Sequence, residues 1–281
     1  NHQYMLFFTQ KGKCFWMRVY EIPEGSKNSK GRAIQNLINI EQDDRVKAFI
    51  CTQDLKDEEY VNSNYVIMAT KMGQVKKTSL EQYSRPRSNG INAITIKDGD
   101  ELLEAKLTNG NSQIMLAVKS GKAIRFEESK TRPMGRNASG VRGIRLKDNK
   151  DEVVGMISVN DMDANILVVS ENGFGKRSSL EDYRLTNRGG KGVKTISITE
   201  KTGKLVTLKS VSDNDDLMII NKSGIAIRMQ VEDLRVMGRA TQGVKVISLK
   251  DGDSIAAVAK VMKDEDDLED INEIEFTGDA V

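Results

Sequence analysis

Five pairs of glycines constrain this chain more than any other feature. Five apolar runs, YMLFFTQKG, YVIMATKMG, QIMLAVKSG, NILVVSENG and DLMIINKSG, end on Gly12, Gly73, Gly121, Gly173 and Gly224. A second glycine follows each run, at Gly31, Gly90, Gly140, Gly192 and Gly243, offset by 19 residues in four units and 17 in the other. Recurrence at a fixed spacing is the signature of a repeat array, with a unit of about 50 residues.

Each unit reads as four short strands. The first is a continuous apolar run, such as Val66–Ala69 or Ile166–Val169, as expected of a strand covered on both faces. The turn glycine then permits a positive φ, and a polar, basic strand follows: QVKKTS, KAIRFE, FGKRSS or IAIRMQ. After the second glycine comes a third strand, INAITI, VRGIRL, VKTISI or VKVISL, with apolar residues at +1, +4 and +6 from that glycine. The phase break between +1 and +4 predicts a β-bulge there. Asp98–Gly99 and Asp251–Gly252 predict type I′ turns, leading into fourth strands such as LLEAKLT and IAAVAKVM. Four-stranded units of this length predict an all-β, propeller-like ring of blades. The segments SLEQY, SLEDY and QVEDL predict single helical turns, and QDLKDEEYVNS in the longer first unit predicts an exposed loop. The repeats divide as roughly 1–63, 64–112, 113–164, 165–215 and 216–262.

Charge is distributed unevenly. Residues 264–281 hold nine Asp or Glu and no Lys or Arg, which leaves 43 cations against 32 anions in the rest of the chain, a net +11. A basic body followed by an acidic, disordered tail over 263–281 predicts a polyanionic partner and a competitor for its surface; alternatively the tail only solubilises. No apolar run approaches the ~18 residues of a membrane span, and the start NHQYMLFF has neither a basic leader nor an initiator Met, so the chain reads as a fragment. Cys14 and Cys51 are isolated and read as small hydrophobes in a reducing compartment.

The cations follow the repeat. Four residues after the first glycine stand Trp16, Lys77, Arg125, Arg177 and Arg228. Four before the second stand Lys27, Pro86, Arg136, Arg188 and Arg239, with Arg85 and Arg87 flanking the proline; eight before stand Arg132, Arg184 and Arg235. Equivalent positions in repeated units predict a belt that neutralises the phosphates of a bent duplex without reading bases. Lys76, Arg142, Lys176, Lys191 and Lys245 join the predicted DNA-binding set. Protection of exposed strand edges by Lys is the competing explanation, but it requires no fixed offset. Within RLTNRGGKGVKTISI, Gly189, Gly190 and Gly192 predict a backbone anion nest beside Arg184, Arg188 and Lys191. Neither this stretch nor GFG at 173–175 has the spacing or context of a nucleotide-binding loop.

Asn187–Gly192, NRGGKG, resembles the box Q-[RK]-R-G-G-[RK]-G of the DNA gyrase A C-terminal domain family, with Thr186 and Asn187 departing from its first two positions. The repeats, each with G-x-x-[KR]-[KR] or G-x-x-I-R, and the opening YMLFFTQKGKCFWMRVYEIPEGSKNSKGRAIQNLINI resemble the same family over residues 1–262. The resemblance implies a β-pinwheel whose blades exchange strands and whose basic rim wraps double-stranded DNA with positive handedness. Negative supercoiling then depends on the remainder of gyrase A and on gyrase B in a heterotetramer, with ATP and magnesium used by those other parts and no cofactor or metal in this chain. It also implies a bacterial, cytoplasmic, nucleoid-associated setting, an isolated domain that is monomeric, and a tail that tunes wrapping. The family has six blades with its strict box in the first, so five repeats imply a chain starting after that blade.

No catalytic constellation is present. The single histidine is His2, and Tyr83 and Tyr183 sit at matching repeat positions, which favours packing over nucleophilic catalysis. The alternatives are the equivalent domain of topoisomerase IV, or a propeller acting as a protein-interaction scaffold. One Trp and 5% aromatics weigh against the scaffold.

Overall fold

The computed structural model describes residues 3–25 and 30–262; Lys27, His2 and the acidic tail lie outside the described residues. Two compact units divide the chain, one formed by residues up to Asn160 with Tyr183–Lys194, the other by Asp161–Asp182 with the chain from Thr195 onward.

The first unit contains three four-stranded antiparallel sheets. One is built from β1 (Tyr4–Thr9), β2 (Lys13–Arg18), β3 (Val46–Thr52) and β6 (Ile91–Asn92) in the order β3-β1-β2-β6. The next has β4 (Tyr65–Thr70), β5 (Gln74–Ser79), β7 (Leu102–Thr108) and β10 (Val141–Arg142) in the order β10-β5-β4-β7. The third has β8 (Gln113–Val118), β9 (Lys122–Glu127), β11 (Val153–Val159) and β14 (Val193–Lys194) in the order β11-β8-β9-β14. The second unit contains β12 (Asn165–Ser170), β13 (Phe174–Ser179), β15 (Leu205–Val211) and β18 (Val244–Lys245) as β15-β12-β13-β18. Its other sheet has three strands, β16 (Asp215–Asn221), β17 (Ala226–Gln230) and β19 (Ile255–Met262), in the order β17-β16-β19.

Each four-stranded sheet therefore takes its last strand from the following repeat, the strand exchange that the family resemblance implies. The donated strand is only two residues long. It leaves the ladder because the next two N–H groups turn onto the first glycine's carbonyl: Ala93 and Ile94 donate to Gly12 O at 2.7 and 3.1 Å. That turn drops Ile94 fully into the core and accounts for the phase break that predicted a bulge. The bulges lie elsewhere, where the outer strand meets the first strand, between Phe8 and Thr9, Ala69 and Thr70, Val153 and Gly155, Val169 and Ser170, and Ile220 and Asn221. Gly12, at φ +86°, must be glycine, since a Cβ would stand 2.3 Å from Ile94 O.

The first strands are covered on both faces: Val66 to Ala69 and Ile166 to Val169 are at most 1% exposed. Their side chains form the layers between neighbouring sheets, as with Leu6, Phe8, Val66, Met68 and Tyr83 in the first unit and Leu167, Leu217 and Ile219 in the second. Tyr83 packs edge-on against Phe8 at 5.8 Å, its phenol pushed up by burial, and Tyr183 is equally buried, so both serve packing.

Two local expectations change. QDLKDEEYVNS is not simply an exposed loop. Asp57 caps a short helix, α1 (Glu58–Ser63), by accepting from Tyr60 N, and Leu55 and Val61 are buried. The Asp98–Gly99 and Asp251–Gly252 turns are not type I′, because only the glycines have positive φ. Asp100 N and Asp253 N close these turns onto Lys97 O and Lys250 O.

Candidate nucleic-acid interface

The residue four after the first glycine lies mid-strand, between the first strand and the loop of the next repeat. A charge buried there needs a partner. Trp16 Nε1 donates to Tyr83 O at 2.9 Å, Arg125 Nη1 to Tyr183 O at 2.9 Å and Arg177 Nε to Leu234 O at 2.5 Å. The three acceptors are the same position of the following repeat. Arg125 Nε also donates to Gln113 at 2.7 Å, and Arg177 pairs with Asp213. Lys77 instead pairs with the wholly buried Glu128 at 3.2 Å and lies over the Tyr65 ring. Arg228 is exposed but donates to Asp216 Oδ2 at 2.7 Å.

The expectation that this column belongs to a surface belt is therefore corrected for Lys77 and Arg177, which are buried and clamp one repeat to the next; Arg125 makes the same clamp but stays half-exposed. Lys76 and Lys176, one residue earlier, are corrected likewise, both having no exposed surface. Lys76 Nζ donates to Ala93 O at 2.5 Å and Arg136 O at 2.6 Å. Burial, with the Arg136 charge adding to it, pushes the Lys76 ammonium down to about 7. Lys176 Nζ donates to Gly238 O at 2.6 Å and Thr241 Oγ1 at 3.2 Å. Both lysines thus tie down the basic loop of the next repeat from below.

The cations on those loops face outward. Arg85, Arg87, Arg132, Arg142, Arg184, Lys191, Arg235 and Lys245 are exposed, and Arg136, Arg188 and Arg239 are half-buried. Arg85, Arg87 and Arg136 border one shallow depression with Gln82, whose Oε1 accepts from Arg136 N at 3.2 Å. Arg125, Arg184 and Lys191 line another, floored by Ile124 and Gly190. Arg142 lines a third beside Lys97 and Arg145, two cations that the repeat offsets do not single out. Arg145 is exposed five residues after Gly140, a signal visible once the third strand is known to end early.

The glycines of the box serve the backbone more than an anion. Gly192 has φ +70°, and a Cβ would stand 2.5 Å from Ala123 O. Gly189 N donates to Gly143 O at 2.6 Å, and Gly190 O accepts from Arg145 N at 2.8 Å. The expected nest thus loses the Gly189 donor. Arg188 is steadied by Lys130 O and Arg142 O at 2.9 and 3.1 Å from its guanidinium. Among the described residues, no cluster of three or more His, Cys, Asp or Glu could hold a metal, and no helix is long and apolar enough to cross a membrane.

Strand-exchanging sheets on a repeat of this length, with basic loops at fixed offsets, define an all-β blade array of the propeller kind. A family model described as DNA gyrase C-terminal domain, beta-propeller, matches residues 3–53, 64–109, 113–160, 164–212 and 215–262. The chain belongs to that family. It is 43% identical over 267 residues to the DNA gyrase A protein of Staphylococcus epidermidis and 44% identical over 269 residues to that of Staphylococcus aureus, covering 95% of this chain in each case. It spans only 29% and 30% of those relatives' lengths. Among solved structures, the C-terminal domain of DNA topoisomerase IV superposes with a TM-score of 0.85 at 24% identity, covering 99% of this chain and 85% of the other. A DNA gyrase A C-terminal domain superposes at 0.78 with 25% identity, covering 93% and 83%.

Proposed function

We propose that this chain binds double-stranded DNA without reading its sequence and wraps it, as the non-catalytic arm of a bacterial gyrase. The observation that carries the reading is the recurrence of outward-facing Arg132, Arg184 and Arg235 at one repeat offset and Arg136, Arg188 and Arg239 at another. The clamps beneath them hold each loop in one conformation, so the cations meet phosphates with little ordering cost. In this reading strand passage, ATP and magnesium belong to the rest of gyrase A and to gyrase B in the heterotetramer, and this chain supplies no catalytic group. The setting that goes with this role is the bacterial cytoplasm, at the nucleoid. The acidic 263–281 segment competes with DNA for the loops.

A second reading keeps the same loop cations on DNA, as in a topoisomerase IV-type domain, but without a wrap of defined hand. Relaxed plasmid closed by ligase in the presence of this chain separates the two. Trapped positive writhe supports gyrase-type wrapping, and unchanged linking number with DNA still bound supports the second reading. No binding at low salt would leave a protein scaffold as the better account.

A further inference from the structure

The loops carry more than cations. Next to Arg132, Arg184 and Arg235 stand Pro133, Leu185 and Val236, one repeat position apart from one another by 52 and 51 residues. Leu185 is 45% exposed and Val236 55%, and Pro133 is exposed too. A single exposed apolar side chain calls for no explanation. Three at one repeat position, each beside an exposed arginine, do.

These tips are also fixed. Each forms a parallel bridge with the clamp residue of the preceding repeat: Pro133 with Lys77, Leu185 with Arg125, Val236 with Arg177. The following N–H closes the bridge, Met134 N onto Lys77 O at 2.7 Å, Thr186 N onto Arg125 O at 2.9 Å and Met237 N onto Arg177 O at 2.8 Å. Arg125 and Arg177 grip the chain again two residues before the tip, at Tyr183 O and Leu234 O. Nothing in this backbone arrangement demands an apolar side chain, since the tip faces solvent. What the arrangement provides is an apolar point fixed to the preceding repeat beside an exposed arginine.

Resting on the DNA-binding reading, we infer that Leu185, Val236 and Pro133 are apolar wedges that enter the minor groove of the duplex. There they press on deoxyribose and loosen a base step while the adjacent arginines hold the flanking phosphates. Proteins that bend DNA without base readout use such wedges to make bending cheaper at a step. The partner is duplex DNA and not a protein because cations immediately precede every tip, which suits a polyanion and not an apolar protein face.

The test uses the 281-residue chain and a duplex of about 40 base pairs labelled at both ends. Leu185→Ser with Val236→Ser is expected to bind about fivefold more weakly, the equivalent of withdrawing roughly half a buried leucine. It should leave the salt slope unchanged and lower the end-to-end energy transfer that reports the bend. Leu185→Met with Val236→Ile keeps the tips apolar and should retain affinity and bend. Arg132→Gln with Arg184→Gln serves as the comparison. If the serine variant binds and bends DNA like the original while the glutamine variant loses salt slope, the wedges are refuted and phosphate binding stands. If the glutamine variant also behaves like the original, both readings fall together.

Discussion

Lys77 and Glu128 give the sharpest test of the correction to the belt. Glu128 has no exposed side-chain surface, and Lys77 has 6%. Glu128 also accepts from Thr108 Oγ1 at 2.6 Å and Ser112 N at 3.2 Å. Glu128→Ala therefore strands a buried ammonium and two donors at once, a change that costs about 3–5 kcal/mol of unfolding free energy. Urea titration followed by circular dichroism reads it directly. Replacing both charges, Lys77→Met with Glu128→Leu, should cost less than either single change, because no uncompensated charge remains. Lys77→Met should leave the salt dependence of DNA binding unaltered, since its ammonium is not at the surface. A loss below about 1 kcal/mol for Glu128→Ala, as for an exposed ion pair, would refute the clamp. So would a shallower salt slope for folded Lys77→Met.

Other outcomes follow from the same geometry. Gly192→Ala forces a strained φ and a Cβ against Ala123 O, and should destabilise the fold by about 2 kcal/mol or more in a denaturant titration. The Lys76 ammonium titrates near 7 in the folded chain and near ~10.4 unfolded. Between those values the unfolded chain binds the extra proton, so stability rises with pH from about 7 upward and levels off past the unfolded value. Lys76→Met should flatten that part of the stability–pH curve; an unchanged curve would contradict the buried-lysine account. Arg132→Gln, Arg184→Gln and Arg235→Gln together should leave melting unchanged and make the log–log salt slope shallower by about 3 units.

Much of the architecture was legible because glycine positions obey steric rules that survive any sequence drift. Gly12 and Gly192 recur because backbone carbonyls of other strands occupy the space a Cβ would need. The continuous apolar runs located the central strands for an equally direct reason, burial on both faces. Strand exchange was not legible from periodicity, since a donated two-residue strand has no pattern of its own; only the family resemblance pointed to it. The placement of the cations was half legible. Loop cations such as Arg132 and Arg184 were placed correctly at the surface, whereas Lys76, Lys77 and Arg177 were not. The warning lay in the repeat columns: Lys76 and Lys176 alternate with Phe15, Ile124 and Ile227, and Lys77 and Arg177 share a column with Trp16. A column that accepts large apolar residues is an interior column, and a cation buried in it reaches a carbonyl or a carboxylate. The α1 helix was hidden by its brevity, with Val61 the one buried residue within it.

The salt dependence of binding bears most directly on the claim that the outward arginines hold phosphates. A labelled duplex titrated with the chain between roughly 50 and 200 mM salt should lose affinity with a log–log slope of about −7, matching the eight exposed cations Arg85, Arg87, Arg132, Arg142, Arg184, Lys191, Arg235 and Lys245. A slope near zero across that range would contradict the account.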